Sequence, residues 1–268
     1  MPADESATPR EQVLMLALPN TGSDWLAELW LRQGPRLRYY REFFNPICNP
    51  KYEDVLNRAF GCEMADNYAL LARPGCPCDE VYEQTWARED YNFTKENYSA
   101  FKVGAFAERF RCFVLYRKAE ASLPGGRLQV KTWFDAMYAS LVVNREALPP
   151  DVRRLVGFAE VEADTINKRQ VAAYVIYYYQ LLKEARRRGL PVLDYDALMS
   201  RPCDELVPYL SRLPGVIDPE LLAREVCATR RPSAKDFGSL GADELYARLT
   251  AMAARCGQGD MFSARGAA

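Results

Sequence analysis

The sequence predicts an α/β fold, a three-layer sandwich in which helices flank a central, mainly parallel sheet. Two observations lead to this prediction. Short apolar runs of the kind that form buried strands occur at 13–18, 110–116 and 190–195. Longer segments with helical periodicity lie between them. Strands that alternate with helices need crossover connections, and these connections place the strands parallel to one another.

The first unit is predicted to be a strand, a tight loop and a helix. The run VLMLAL at 13–18 is continuously apolar, and DWLAELWLRQG at 24–34 repeats apolar residues at helical spacing. Gly34 is expected to cap the end of this helix. The segment between them, 19–23, is Pro-Asn-Thr-Gly-Ser, a composition that favours a turn.

The remaining segments continue the alternation. A further strand is predicted at 37–44, and helical segments are predicted at 51–59, 63–71, 79–88, 97–108, 127–148, 165–188, 196–212, 218–228 and 242–255. Loops are expected at 74–78 and 229–239. We expect a single domain over 1–268, with a disordered tail at 1–11 and a frayed tail at 257–268.

Composition limits the classes of partner. The 35 basic and 36 acidic residues give a net charge of -1, so we expect no general affinity for nucleic acid or for a membrane. The first residues, MPADESATPREQ, lack the apolar segment of a signal peptide. Eight scattered cysteines are expected to be mostly reduced and buried, and no metal site is expected. A cytoplasmic location follows as an expectation.

The chain contains no histidine. This excludes every mechanism that needs an imidazole, including serine-hydrolase triads and zinc sites with histidine ligands. A general base must therefore be a carboxylate or, as weaker alternatives, a lysine, tyrosine or cysteine.

The loop at 19–23 is a candidate anion site. The first amides of the helix that follows lack backbone partners, and the helix dipole favours negative charge there. Gly22 permits a left-handed or close-approach conformation, and Thr21 and Ser23 supply hydroxyl donors. It is not a Walker A loop, because no lysine follows the glycine. A purely structural turn is the alternative.

The segment VLMLALPNTGSDWLAELW resembles the 5′-phosphosulfate loop of sulfotransferases, whose usual form is P-K-[ST]-G-[ST]-[ST]-W-L; the matches are at positions 19, 21, 22, 23, 25 and 26. The resemblance implies a P-loop-like, sulfotransferase-like fold and the donor substrate 3′-phosphoadenosine 5′-phosphosulfate (PAPS). It also implies donor contacts from the loop residues Asn20, Thr21, Gly22, Ser23, Asp24 and Trp25.

Two later segments extend the resemblance. FVLYRKAEASLPG at 113–125 is similar to the family's second signature, whose arginine and serine hold the 3′-phosphate of the donor. Arg117 and Ser122 take those places here. The block at 190–216 is similar to a later strand–helix block of the family, and RRPSAKDFG at 230–238 resembles its nucleotide-covering loop.

Glu42 is the candidate catalytic base. Residues 41–44, Arg-Glu-Phe-Phe, resemble a shortened form of the K-E-x-H-F-F strand of heparan-type sulfotransferases, in which the glutamate is the base. The alternative is an exposed or ion-paired glutamate at a strand end.

The chain departs from the family's loop at two positions. The lysine that bridges the donor phosphate and the transferring sulfonate is Asn20, and a hydroxyl residue at the 5′-phosphate is Asp24, a carboxylate that would repel an anion. Lys102, Arg41 and Lys118 are candidates to replace the missing lysine.

The resemblance implies a PAPS-dependent sulfotransferase that transfers sulfonate to a hydroxyl or amine of a small-molecule or glycan acceptor, without a metal. The acceptor pocket is expected to involve 45–100. One alternative is a non-catalytic sulfotransferase-like protein that binds a nucleotide or a partner, as Asn20 and Asp24 suggest. A divergent small-molecule kinase is a third hypothesis.

Overall fold

A computed structural model shows an α/β sandwich. The structure describes residues 12–35, 37–42, 48–60, 81, 84–85, 91–97, 100–123, 128–230 and 238–256. Its strands are β1 (Val13–Leu16), β2 (Tyr39–Arg41), β3 (Phe93–Glu96), β4 (Arg111–Tyr116) and β5 (Val192–Asp194). They form one sheet in the order β2-β3-β1-β4-β5, and every described pairing is parallel.

Helices fill the connections between the strands. They are α1 (Ser23–Leu31), α2 (Glu53–Phe60), α3 (Val103–Ala107), α4 (Ala119–Ser122), α5 (Leu128–Val143), α6 (Pro150–Glu162), α7 (Ile166–Arg188), α8 (Tyr195–Ser200), α9 (Cys203–Leu210), α10 (Pro219–Thr229) and α11 (Asp243–Cys256). Short 3₁₀ turns lie at Pro50–Tyr52, Arg145–Ala147 and Gly238–Leu240.

The central strand β1 separates two hydrophobic cores. All four of its residues are buried, which is expected of a parallel strand covered on both faces. Leu14 and Leu16 face a core that includes α5, α6, α7 and α11. Val13 and Met15 face the opposite core, built with α1, α8, α9 and α10. The predicted three-layer α/β architecture with a parallel sheet is therefore confirmed.

Strand β3 was not predicted. Its sequence, Phe-Thr-Lys-Glu, has a single apolar residue and lies in the part of the chain for which only helical pieces were expected. All four residues are nonetheless buried, because β3 lies between β1 and β2 and its polar side chains have hydrogen-bond or ion-pair partners. A sheet interior normally selects apolar side chains, so nothing in this polar tetrapeptide indicates a strand.

Four helix predictions need correction. Helix α1 ends at Leu31 with Arg32 as its C-cap, so Gly34 does not cap it. Helix α6 was missed between the segments predicted at 127–148 and 165–188, although Pro150 begins it in the favoured first position. The helix predicted at 97–108 shortens to α3. The one at 196–212 divides into α8 and α9, because Pro202 interrupts the backbone hydrogen bonds.

Several predictions fall outside the described residues. They are the helical segment at 63–71, the loop at 74–78, the tails at 1–11 and 257–268, and most of 79–88 and 229–239. Within the described residues, no helix is both long enough and apolar enough to cross a membrane.

Two of the described cysteines form a disulfide, which the sequence did not predict. Cys203 at the start of α9 forms a disulfide with Cys227 in α10. In the part of the chain that the structure describes, Cys48, Cys112 and Cys256 are free. Disulfides persist mainly in oxidising compartments, a pattern that sequence spacing did not indicate here.

Helices α6 and α7 are joined by a partly buried polar cluster. The Asp151 carboxylate accepts hydrogen bonds from the Tyr179 hydroxyl and from Lys183 Nζ, the latter at 2.7 Å. Partial burial raises the pKa of Asp151, but the hydrogen bonds from Lys183 and Tyr179 outweigh it, so the pKa lies below its ordinary value. The ionised carboxylate therefore stabilises the folded state.

We expect Asp151→Asn to lower the free energy of unfolding at pH 7 by about 1–2 kcal/mol. The stabilisation from an acid with a lowered pKa is complete above its unfolded pKa of about 4, and it is lost as pH falls through the folded value. In urea unfolding, the difference in the free energy of unfolding between wild type and variant should therefore become smaller as pH falls from 7 to 3. Asp164→Asn, which removes an exposed ion pair with Lys168, is the matched control and should change little. A constant difference at all pH values would contradict this account.

Candidate anion-binding site at the carboxyl edge of the sheet

The candidate site lies where the carboxyl ends of the strands meet. The loop at 19–22 follows β1, and Arg117 follows the adjacent strand β4. The chain leaves β1 toward β2 on one side of the sheet, whereas β4 continues to β5 on the other. Such a topological switch point leaves a crevice at the carboxyl edge, and this is the usual ligand position in open α/β sheets.

Left-handed backbone conformations shape the loop. Asn20 has φ 64° and Gly22 has φ 87°. The Thr21 side chain is fully buried, and its hydroxyl donates to the Leu18 carbonyl over 2.8 Å. This hydroxyl therefore stabilises the loop. The sequence predicted that it would donate to a ligand, but its hydrogen bond goes to the backbone.

The start of α1 supplies unpaired amides. The first described intrahelical bond runs from the Leu26 amide to the Gly22 carbonyl. The amides of Ser23, Asp24 and Trp25 precede it and have no intrahelical acceptor. These amides and the positive end of the helix dipole make the start of α1 favourable for an anion.

Tyr195 covers the loop. A Cβ atom on Gly22 would lie closer to the Tyr195 ring than real carbon contacts allow. Trp25 packs edge-on against the same ring, with centroids 5.7 Å apart. Tyr195 was not chosen from the sequence, although it lies in the block at 190–216 that resembles the family. Glycine is thus required at position 22 both by the positive φ and by the lack of room for a side chain beneath the Tyr195 ring.

Lys95 is the main site residue that the sequence analysis missed. It projects from β3 and is 1% exposed. Its Nζ lies 2.6 Å from Asp24 Oδ1, 3.1 Å from Glu42 Oε1 and 3.3 Å from Ser23 Oγ. We call Lys95, Asp24, Glu42, Arg41 and Ser23 the Lys95 cluster. Because β3 was not predicted, nothing in the sequence connected this lysine with the loop.

Glu42 lies at the end of β2 inside this cluster. It is 3% exposed and has φ 43°, an unusual backbone conformation for a residue other than glycine. Its carboxylate accepts a hydrogen bond from Asn97 Nδ2 at 2.7 Å, and its carbonyl accepts one from Asn49 Nδ2 at 2.6 Å. The structure thus places the candidate base beside the loop, although it is ion-paired and buried.

Arg41 lies at the exposed side of the cluster. Its Nε is 3.4 Å from Asp24 Oδ1 and 3.8 Å from Glu42 Oε1. Burial lowers the pKa of Arg41, but Asp24 and other nearby groups raise it more, so the pKa lies above its ordinary value. Among the three proposed replacements for the loop lysine, Arg41 is the one that contacts Asp24 and Glu42 in the described part of the chain. Lys118 donates its backbone amide to Asp196, and Lys102 precedes α3.

Arg117 lies on the other side of the loop. It is 6% exposed, and its guanidinium carbon lies 4.2 Å above the Tyr195 ring. Its Nη1 donates to the Asn20 carbonyl over 3.3 Å. Its Nε is buried without a hydrogen-bond partner among the described residues, and it lies 3.9 Å from Asp196. A buried donor without an acceptor is costly, so this guanidinium is suited to donate hydrogen bonds to an anion.

Ser122 has a structural contact. It is fully buried in α4, and its Oγ lies 2.6 Å from the Tyr174 hydroxyl. The same hydroxyl donates to the Arg117 carbonyl over 2.7 Å. Ser122 is thus brought close to the backbone of Arg117, but its side chain packs toward α7.

A cavity of about 370 Å³ adjoins the start of α1. It is lined by Trp25, Glu28, Leu29, Arg32, Tyr195 and Thr229. This volume lies within the usual range for small-ligand sites. Two aromatic rings in its wall, beside the loop, provide flat apolar surfaces.

Comparison with known proteins adds no relative: no family model matches the chain, and no curated protein or solved structure is significantly similar to it.

We expect Gly22→Ala to destabilise the protein by more than the matched variant Gly241→Ala. Gly241 also has a positive φ, 62°, but a Cβ there meets nothing within 4 Å. The backbone strain of about 1–2 kcal/mol is then common to both variants, and the contact with Tyr195 is specific to Gly22. Urea unfolding measures the difference. Equal losses of stability would show that the ring does not constrain the loop.

Proposed function

We propose that this protein is a PAPS-dependent sulfotransferase. The observation that carries the proposal is the buried ammonium of Lys95 beside the loop, 3.3 Å from Ser23 Oγ. The resemblance of the loop implies a phosphosulfate site, and the lysine missing from position 20 has a counterpart from β3. A sulfotransferase-like and P-loop-like identity of the fold is part of this proposal.

The donors around the loop fit the phosphosulfate group. Two buried donors, Asn20 Nδ2 and Arg117 Nε, have no hydrogen-bond partner in the described part of the chain. The amides at the start of α1 are also free of intrahelical bonds. Anion oxygens would satisfy these groups, so the residues present are suited to the 5′-phosphosulfate, with Thr21 and Gly22 shaping the loop.

Arg117 is assigned to the 3′-phosphate of the donor. Its guanidinium is held by the Tyr195 ring and by Asn20, and a planar fork of donors matches phosphate oxygens. Ser122 supports it indirectly through Tyr174. The cavity beside Trp25 is the proposed position of the adenine, because aromatic walls favour a flat heterocycle.

Glu42 is the proposed base for the acceptor. It would take the proton from the acceptor hydroxyl or amine as the acceptor atom bonds to sulfur. The bond between sulfur and the 5′-phosphate oxygen breaks, and the electron pair stays on that oxygen. Lys95, next to both Glu42 and the loop, can stabilise the negative charge that develops there. The acceptor is proposed to be a small molecule or a glycan, and no metal takes part in this scheme.

A non-catalytic nucleotide-binding protein is the second candidate. It is favoured by the ion pair between Lys95 and Asp24, which joins the lysine to a carboxylate of the protein itself. The Cys203–Cys227 disulfide favours an oxidising compartment, so the cytoplasmic location stays a prediction.

The direct test is a thermal-shift titration with 3′-phosphoadenosine 5′-phosphate (PAP), the desulfated donor, without metal. We expect stabilisation of a few degrees, since a ligand at 100 times its Kd contributes about 2.7 kcal/mol. Arg117→Ala and the charge-preserving Arg117→Lys should both weaken this shift, because neither retains the planar fork. Arg145→Ala, which removes exposed ion pairs with Glu146 and Glu160, should not.

Two results would overturn the proposal. One is the absence of any PAP effect on folded wild-type protein. The other is stabilisation by ATP with magnesium in place of PAP, which would favour the kinase hypothesis.

Glu42→Gln tests the assigned base. It keeps the side-chain shape, so we expect PAP affinity to change only a few-fold, whereas sulfonate transfer falls by on the order of 10²-fold or more. Transfer from radiolabelled PAPS to a panel of hydroxyl and amine acceptors measures the rate. Glu108→Gln, an exposed change of the same kind, is the control. Unchanged transfer by a folded Glu42→Gln variant would remove Glu42 from the mechanism.

A further inference from the structure

Asp24 is an exposed residue with a buried partner. Its side chain is 57% exposed, yet Oδ1 lies 2.6 Å from Nζ of Lys95, whose side chain is 1% exposed. Oδ1 also lies 3.4 Å from Nε of Arg41. The carboxylate therefore lies between two cations at the start of α1.

The Asp24 carboxylate lies at a position that would be favourable for a bound oxyanion. The carboxylate lies in the first turn of α1, where the helix dipole favours negative charge. Next to the same loop, the guanidinium of Arg117 is 6% exposed and has an unpartnered Nε, and Asn20 Nδ2 is buried without a partner among the described residues. Lys95 is paired with the Asp24 carboxylate, while the buried donors beside the loop have no acceptor in the described part of the chain. We infer that the carboxylate satisfies only part of an anion site.

We propose that Asp24 is an internal competitor for the anion site and determines which ligands enter it. This inference rests on the proposed function, since it concerns the same loop. A ligand must displace the Asp24 carboxylate from Lys95. Because the Asp24 side chain is largely exposed, it can rotate into solvent without burying a charge. A group with two or more negative charges then gains most from the cations that Asp24 releases, whereas an uncharged ligand gains nothing.

Asp24→Asn is the variant that tests this proposal. The amide keeps the size of the side chain and removes the competing charge. We expect inorganic pyrophosphate and PAP to bind about tenfold more tightly than to wild type, with adenosine unchanged. Isothermal titration calorimetry measures the three affinities at low and at high salt, and the gain should be smaller at high salt.

Two controls isolate the mechanism. Asp243→Asn removes an exposed first-turn acid from α11, which packs on the other face of the sheet, and should leave all three affinities unchanged. The gain from Asp24→Asn should also disappear when it is made in a Lys95→Gln background, because the two residues act on each other. Melting temperatures of all variants confirm that they fold.

The outcomes separate this proposal from the function. Tighter pyrophosphate binding by Asp24→Asn without PAP binding by any form supports the competitor and overturns the sulfotransferase. Binding of PAP by wild type, with no tighter binding by Asp24→Asn, supports the sulfotransferase and overturns the competitor. Failure of Asp24→Asn to bind any anion overturns both, since removal of the competitor should expose the site.

Discussion

The buried ammonium of Lys95 is the interaction on which the site depends. A charge removed from water must be paired, and two carboxylates and one hydroxyl are drawn toward this one nitrogen. Those partners come from two separate pieces of the chain, α1 and the end of β2, whereas the lysine itself lies on β3. The lysine thus fixes the position of Glu42 relative to the loop, which no local rule of turn or helix formation would do.

The opposite side of the site is organised by packing around Tyr195. Its ring lies over Gly22, beside Trp25 and below the Arg117 guanidinium. One side chain at the start of α8 therefore contacts the loop backbone, the cavity wall and the arginine together. The two halves of the site differ in character. The Lys95 side is a balanced network of charges, whereas Arg117 Nε on the other side has no hydrogen-bond partner among the residues that the structure describes.

Much of this arrangement followed from sequence, and the exceptions have physical causes. Continuous apolar runs indicated β1 and β4, and the turn residues between β1 and α1 indicated the loop, because local composition determines those elements. Glu42 and Arg117 were identified by position and lie at the loop. Strand β3 and Lys95 were missed because a polar tetrapeptide becomes a buried strand only through tertiary partners. The hydroxyls of Thr21 and Ser122 were expected to face a ligand, but backbone and tyrosine contacts hold them.

The hydrogen bonds of Tyr174 have a consequence for motion. Its hydroxyl joins the Arg117 carbonyl and Ser122 to α7, a helix of 23 residues that runs along the sheet. A residue just beyond a strand end would ordinarily fluctuate with its loop on the nanosecond timescale. Here the backbone of Arg117 is tied to the strand on one side and to a long rigid helix on the other. Its amplitude of motion should resemble that of the core, and little ordering entropy remains to be lost when a ligand binds.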